Sequence, residues 1–118
     1  MTTAAYTSEL VAQRDKKLTV VQWDPDSDIY TASLPFLYVQ VINTGTSYLY
    51  LHASPDDGEE IIVADHSGAC SGQPIEIRVG NNAHTIISAP DGVGINTDYG
   101  LLCLKYVGNN FWAILYGR

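Results

Sequence analysis

The chain has 118 residues, of which six are Lys or Arg and 13 are Asp or Glu, so its formal net charge is -7. A length close to that of one ordinary domain leaves room for one hydrophobic core and none for a second domain. The negative charge disfavours a phosphate-binding surface, and we therefore expect no nucleic-acid partner.

Residues 1–17 differ in composition from the rest of the chain. They are polar, charged and only weakly periodic, so we predict an N-terminal arm over 1–17 and a single β-domain over 18–118. A short helix and a flexible arm both remain open for this segment. It lacks the basic start and apolar centre of a signal peptide, and no run of about 18 apolar residues occurs in the chain. We therefore expect no membrane partner and assembly in the cytoplasm.

From Leu18 onward, short segments rich in β-branched and aromatic residues alternate with turn residues, which is typical of all-β proteins. We expect a compact antiparallel β-sandwich or barrel, jelly-roll-like, of about eight or nine short strands. The predicted strands are 18–23, 28–34, 36–43, 47–53, 60–65, 74–79, 84–89, 99–107 and 110–116.

Turn chemistry predicts how several of these strands connect. Asn43-Thr44-Gly45 tolerates positive φ between two alternating runs, which predicts a hairpin between strands 36–43 and 47–53. Leu34-Pro35 interrupts what would otherwise be one long strand and predicts a corner or a change of sheet. Gly108-Asn109-Asn110 predicts the turn of a final hairpin.

Several predicted strands are apolar on both faces. Strands 36–43, 101–104 and 111–116 carry more apolar surface than one core of this size can bury, so we expect part of it to contact another subunit. Large amphipathic rings on strands that are already apolar on the other face are the candidate interface residues. They are Tyr38, Tyr48, Tyr50, Phe111, Trp112 and Tyr116, and core packing is the alternative for half of them.

Known catalytic and metal-binding motifs are absent from the sequence, so we expect no enzyme activity and no cofactor. The histidines His52, His66 and His84 lie on separate segments without the short spacing of metal ligands. Asp65-His66-Ser67 has the composition of a catalytic triad, but triads are assembled from distant positions. We interpret it as a polar turn in which Asp65 and Ser67 bind nearby backbone groups and Gly68 supplies the permissive φ.

Acidic clusters and two cysteines complete the inventory of reactive groups. We interpret both acidic clusters as solvated loops, although weak calcium binding stays open. They are Asp24, Asp26 and Asp28, and Asp56, Asp57, Glu59 and Glu60. Cys70 and Cys103 are predicted to be free, buried thiols, and their pairing in space stays open.

A series of short segments resembles a β-module that recurs in tailed-phage virion proteins. The segments are the Leu34-Pro35 pair, GEEIIVADHSG at 58–68, PIEI at 74–77, NAHTI at 82–86, YGLLCL at 99–104 and GNNFWAIL at 108–115. The specificity lies in their order and spacing, and this chain departs from the module by an insertion over 36–53. The resemblance implies a virion protein that is commonly trimeric.

Because the chain has one domain and only a short arm, the resemblance favours a capsid decoration or cement protein. Such a protein binds the major capsid protein on the outer surface of the head shell as a homotrimer and stabilises the shell. Three alternatives stay open. They are a tail fibre or spike tip that binds a host receptor or glycan, a small metal-dependent β-barrel enzyme, and a monomeric carbohydrate-binding sandwich.

Overall fold

The chain forms ten short strands and no helix within the residues that the structure describes. The computed structural model describes residues 18–24, 30–33, 35–42, 47–90 and 92–118. The strands are β1 (Thr19–Trp23), β2 (Tyr30–Thr31), β3 (Phe36–Val41), β4 (Ser47–Tyr50), β5 (Glu60–Asp65), β6 (Ile75–Arg78), β7 (Thr85–Ile86), β8 (Val93–Ile95), β9 (Leu101–Gly108) and β10 (Phe111–Gly117). The predicted arm over 1–17 lies outside the described residues.

The first six strands alternate between two mixed sheets. One sheet has the order β1-β3-β5-β9-β10-β7 and the other has the order β2-β4-β6-β8. Because the chain crosses to the opposite sheet after each strand, β1, β3 and β5 run parallel, as do β2, β4 and β6. The pairs β1–β2, β3–β4 and β5–β6 are therefore three stacked windings of the chain. Strands β8 and β9 then pair antiparallel with β6 and β5 of this stack, and β10 pairs antiparallel with β9.

The all-β prediction is confirmed, but the prediction of antiparallel sheets is wrong for the strand pairs between successive windings and for β7 with β10. A period-two pattern shows which residues share a face and does not show strand direction. The described pairings also give two open sheets instead of a closed barrel. Strand β8 was missed because Gly94 interrupts its short apolar pattern.

The turn predictions have mixed outcomes. The hairpin between strands 36–43 and 47–53 is wrong, because β3 and β4 lie in different sheets, and residues 43–46 lie outside the described part. The change of sheet near Leu34-Pro35 is confirmed, since β2 and β3 belong to opposite sheets. The final hairpin is also confirmed: β9 and β10 pair antiparallel around Asn109 and Asn110, whose φ values are 53° and 69°.

One core lies between the two sheets. Alternate residues of β3 and β5 point into it from one sheet, and alternate residues of β4 and β6 point into it from the other. The largest fully buried side chains include Leu37, Val39, Leu49, Ile75 and Ile77, each 0% exposed. Burial of each such side chain stabilises the fold by about 2 kcal/mol before entropy is counted.

Three rings close the core next to the final hairpin. The buried Trp112 ring lies 5.3 Å from Tyr106, and Tyr106 lies 5.2 Å from His84. Trp112 Nε1 donates a hydrogen bond to His84 Nδ1 at 3.4 Å, so the ring nitrogen that accepts it carries no proton. Burial lowers the pKa of His84, which keeps this imidazole neutral.

Candidate functional site

The outer face of the six-stranded sheet, which points away from the core, carries one continuous apolar row across five strands. Direct register partners share a face, and here they run Val20, Tyr38, Ile62, Cys103 and Tyr116. We call these five residues the outer row. Val20 and Tyr116 are 58% and 53% exposed, while Tyr38 and Ile62 are half-buried. The outer row thus offers apolar surface to a partner at both of its ends and at Tyr38 and Ile62, while Cys103 is buried beside Tyr116.

Polar residues flank the outer row on both sides. One flank has Gln22 and Gln40, whose amides lie 3.5 Å apart. The other flank has Glu60 and Lys105, whose charged atoms lie 3.8 Å apart. An apolar centre with a polar margin is the usual anatomy of a protein–protein interface.

Strand β10 provides a second apolar surface, next to the outer row. Only Phe111 and Trp112 pair with β7, so residues 113–117 have β9 as their one strand neighbour in the described structure. None of residues 111–117 is charged, and Leu115 is 47% exposed at an irregularity in the pairing. Natural sheets usually protect such an edge with Lys, Pro or a covering segment.

The six residues proposed from the sequence do not form one surface. Tyr38 and Tyr116 belong to the outer row, and Phe111, 44% exposed, lies at the start of β10. Trp112 is 1% exposed in the core, so the alternative of core packing describes this residue. It is the only buried residue of β10, and the apolar sequence of this strand does not show which of its residues is buried.

Tyr48 and Tyr50 lie on the opposite side of the molecule, on the outer face of the four-stranded sheet. Their rings are 6.5 Å apart, and the Arg78 guanidinium lies 4.4 Å from the centre of the Tyr48 ring. Arg78 also pairs with Glu76 at 2.6 Å. This arrangement stabilises a mixed aromatic and charged surface that is separate from the outer row.

Asp65 organises the turn that follows β5, as the polar-turn interpretation predicted. Its Oδ1 accepts hydrogen bonds from the Ser67 backbone and hydroxyl and from the Gly68 backbone, and Gly68 has φ of 76°. Its Oδ2 accepts from the backbones of Cys70 and Tyr99. Burial alone would raise the pKa of Asp65, but these hydrogen bonds lower it to about 2.

No described group of three or more His, Cys, Asp or Glu side chains is arranged to hold a metal ion. His66 contacts Tyr38, His84 contacts Trp112, and His52 binds Glu59 at 2.8 Å. Glu59 is 4% exposed, so the solvated-loop interpretation of its cluster is wrong at this residue. Asp26 and Asp28 of the other acidic cluster lie outside the described residues.

The two cysteines are free and buried, as predicted. Cys70 belongs to the core, where burial and the nearby Asp65 charge raise the pKa of its thiol to about 12. Cys103 lies on the outer row beneath Tyr116, and burial raises the pKa of its thiol, partly offset by a hydrogen bond with Tyr116. Neither thiol is therefore an activated nucleophile at neutral pH.

Val20 and Ile62 of the outer row were not singled out from the sequence. Alternation within each segment shows that they share a face with polar neighbours, but the alignment of Val20, Tyr38 and Ile62 depends on parallel register between windings. That register has no local sequence signal.

None of the described residues forms a helix able to span a membrane. No protein-family model matches the chain, and no curated protein matches its sequence closely enough to indicate a relationship.

Proposed function

We propose that the two mixed sheets form a β-sandwich that serves as one subunit of a bacteriophage capsid decoration or cement protein. In this proposal three copies associate and bind the major capsid protein on the outer surface of the head shell. The observation that carries the proposal is the outer row with its polar flanks. The order of short segments that resembles phage virion modules supports the same role.

The size of the outer row indicates how much surface association must bury. The outer row and its two polar flanks are three rows about 6.6 Å apart on five strands about 4.8 Å apart, which gives a flat area of roughly 250 Å². A standard interface buries about 800 Å² on each partner. The contact must therefore extend beyond the outer row, and the uncharged, apolar β10 is the adjoining surface that allows it.

The charge of the chain restricts where like subunits can meet. Copies that each carry -7 repel one another unless their contact surfaces are free of unpaired carboxylates. The outer row and residues 111–117 contain none, and Glu60 at the flank is matched by Lys105. We therefore place the outer row at the threefold axis and leave the acidic surfaces facing outward.

Two variants with the same change in charge test this arrangement. Val20→Glu places a carboxylate in the outer row at a residue that is 58% exposed, so folding is preserved. Thr31→Glu places one on the exposed outer face of the opposite sheet. We expect V20E to weaken self-association and capsid binding at least about tenfold, because a buried unpaired charge costs more than 1.4 kcal/mol, and T31E to match the wild type.

The measurements are the solution mass by light scattering and co-sedimentation with capsids that lack the protein, followed by electron microscopy of the particles. A wild-type monomer without affinity for any capsid contradicts the proposal. So does equal behaviour of V20E, T31E and the wild type. Density at the tip of a tail fibre instead of on the head would favour the receptor-binding alternative.

A further inference from the structure

A small pocket opens where β5 ends, beside the outer row. Its volume is about 260 Å³. It is lined by Tyr38, Ala64, Asp65, His66, Tyr99 and Arg118. We call it the corner pocket. Pockets for drug-sized ligands measure about 300–1,000 Å³, so the corner pocket suits a ligand no larger than one sugar ring.

Tyr99 is held outward at the rim of the corner pocket by a specific support. Its φ is 56°, a left-handed conformation that is uncommon for a tyrosine, and its side chain is 66% exposed. The Tyr99 backbone N–H donates to Asp65 Oδ2 at 3.0 Å. Its ring lies so close over Gly68 that a Cβ there would be 2.4 Å from Tyr99 Cζ. A strained backbone and a buried carboxylate thus fix an exposed ring, as in preorganised binding sites.

Arg118, whose guanidinium has no ion pair in the described part of the chain, is one of the residues that line the corner pocket. Of the three Lys and Arg residues in the described part of the chain, Arg78 pairs with Glu76 and Lys105 lies 3.8 Å from Glu60. Arg118 has no ion pair there, although its backbone is fixed by two hydrogen bonds of 2.9 Å with Leu101. In a chain of net charge -7, a free guanidinium in a pocket favours an anionic ligand.

His66 and Tyr38 add hydrogen-bonding groups to the lining of the corner pocket. The Tyr38 hydroxyl lies 3.0 Å from His66 Nε2. When Tyr38 donates to Nε2, the neutral imidazole carries its proton on Nδ1, which leaves an N–H donor for a ligand. The two rings meet edge to face at 5.8 Å, which fixes their relative orientation.

We propose that the corner pocket binds an acidic sugar residue, with its carboxylate on Arg118 and its ring against Tyr99. A guanidinium presents two parallel donors that match a carboxylate, and an exposed tyrosine ring packs against the C–H face of a pyranose. His66 donates to a hydroxyl or carboxylate oxygen of the same residue. All the groups belong to one chain, so this inference goes beyond the decoration role, and Tyr38 is the one residue that the corner pocket shares with the outer row.

The Asp65 carboxylate in the lining of the corner pocket disfavours a phosphate dianion more than a monoanion. Asp65 is 3% exposed and its carboxylate accepts five hydrogen bonds from Ser67, Gly68, Cys70 and Tyr99. Those donors partly offset its charge.

The test is an NMR titration of the ¹⁵N-labelled full chain with methyl β-D-glucuronide. Methyl β-D-glucoside serves as the neutral control and inorganic phosphate as the simple anion. We expect the glucuronide alone to shift the amide signals of His66, Tyr99 and Arg118. Equal shifts with glucoside, shifts with phosphate alone, or no shifts with any of the three would overturn the proposal.

Two variants and one control distinguish the contribution of the Arg118 charge from that of the Tyr99 ring. Arg118→Gln should weaken glucuronide binding at least about tenfold, as expected for loss of a charged hydrogen bond. Arg78→Gln, which removes the same charge on the outer face of the opposite sheet, should leave binding unchanged. Tyr99→Asn keeps a residue that tolerates positive φ and removes the ring, so binding should fall severalfold while the spectrum stays folded. Equal effects of R118Q and R78Q would show that binding depends only on the overall charge of the protein and would refute the site.

Discussion

At the scale of single residues, two buried titratable groups make the stability of this protein depend on pH. Asp65 is ionised and satisfied by backbone donors, and His84 is neutral and accepts a hydrogen bond from Trp112. The pKa values of both side chains are lowered in the folded chain. Both groups therefore bind protons less readily when folded, and both make acid destabilising.

Asp65→Asn should destabilise the protein strongly. The folded-state pKa of about 2 lies below the ordinary value of 3.8, so the contribution of this carboxylate is complete above pH 3.8 and is lost as pH falls towards 2. The difference corresponds to about 2 kcal/mol. Urea denaturation at neutral pH should show a loss of at least that size in D65N, whereas Asp57→Asn, at an exposed turn residue, should change stability little. A loss in D65N no larger than in D57N would contradict the role of Asp65 as an organising group.

The wild type should lose stability as pH falls below 6.5, the pKa of His84 in the unfolded chain. The unfolded chain then binds a proton that the folded chain excludes, until the folded imidazole is protonated as well. His84→Asn keeps an oxygen that accepts from Trp112 and does not titrate in this range. The difference between the denaturation midpoints measured above and below this pKa should therefore be smaller in H84N than in the wild type. The same reduction in His66→Asn, which removes an exposed histidine, would show instead that His84 is not the source of the pH dependence.

At the scale of elements, the final hairpin shows what the sequence does specify. Gly108-Asn109-Asn110 predicted the turn because Asn and Gly tolerate positive φ, and all three residues adopt it. Asp65-His66-Ser67 was likewise predicted as a turn from local chemistry. Pairing between windings was not predictable, because parallel strands are joined through the other sheet and no short turn specifies their register. The outer row depends on that register and was found only from the structure.

Two substitutions at Asn110 test the turn. Asn110→Gly should preserve or slightly raise stability, because glycine adopts the φ of 69° without steric cost. Asn110→Val should lower the free energy of unfolding by about 1 kcal/mol or more, since a β-branched side chain is strained there. Thermal unfolding of both variants provides the comparison. Equal stability of N110V and N110G would show that the hairpin does not require positive φ at this position.

At the scale of the whole molecule, apolar surface and net charge act against each other in association. The outer row and β10 favour contact between copies, and a charge of -7 on each copy opposes it. Salt screens the repulsion but leaves hydrophobic contact intact, with a Debye length near 30 Å at 0.01 M and 10 Å at 0.1 M.

Self-association should therefore strengthen as ionic strength rises from about 0.01 M to about 0.1 M. The measurement is light scattering of the isolated protein across a concentration series at each salt level. The self-association of V20E should increase less with salt than that of T31E, because V20E lacks the intact outer row on which the contact depends. Dissociation on addition of salt would show that attraction between opposite charges holds the copies together, and that the apolar row is not the interface.

The stacked path of β1 to β6 also bears on how this architecture changes in length. Each pair of strands rests only on the pairs beside it, as repeats do in solenoid proteins, so the arrangement is modular along one axis. Duplication of a segment such as residues 35–58, from the start of one pair to the start of the next, would add one layer and leave the antiparallel strands undisturbed. Longer proteins with this architecture can arise by insertion of whole layers. Each insertion would lengthen the row of apolar side chains across the sheet by one strand.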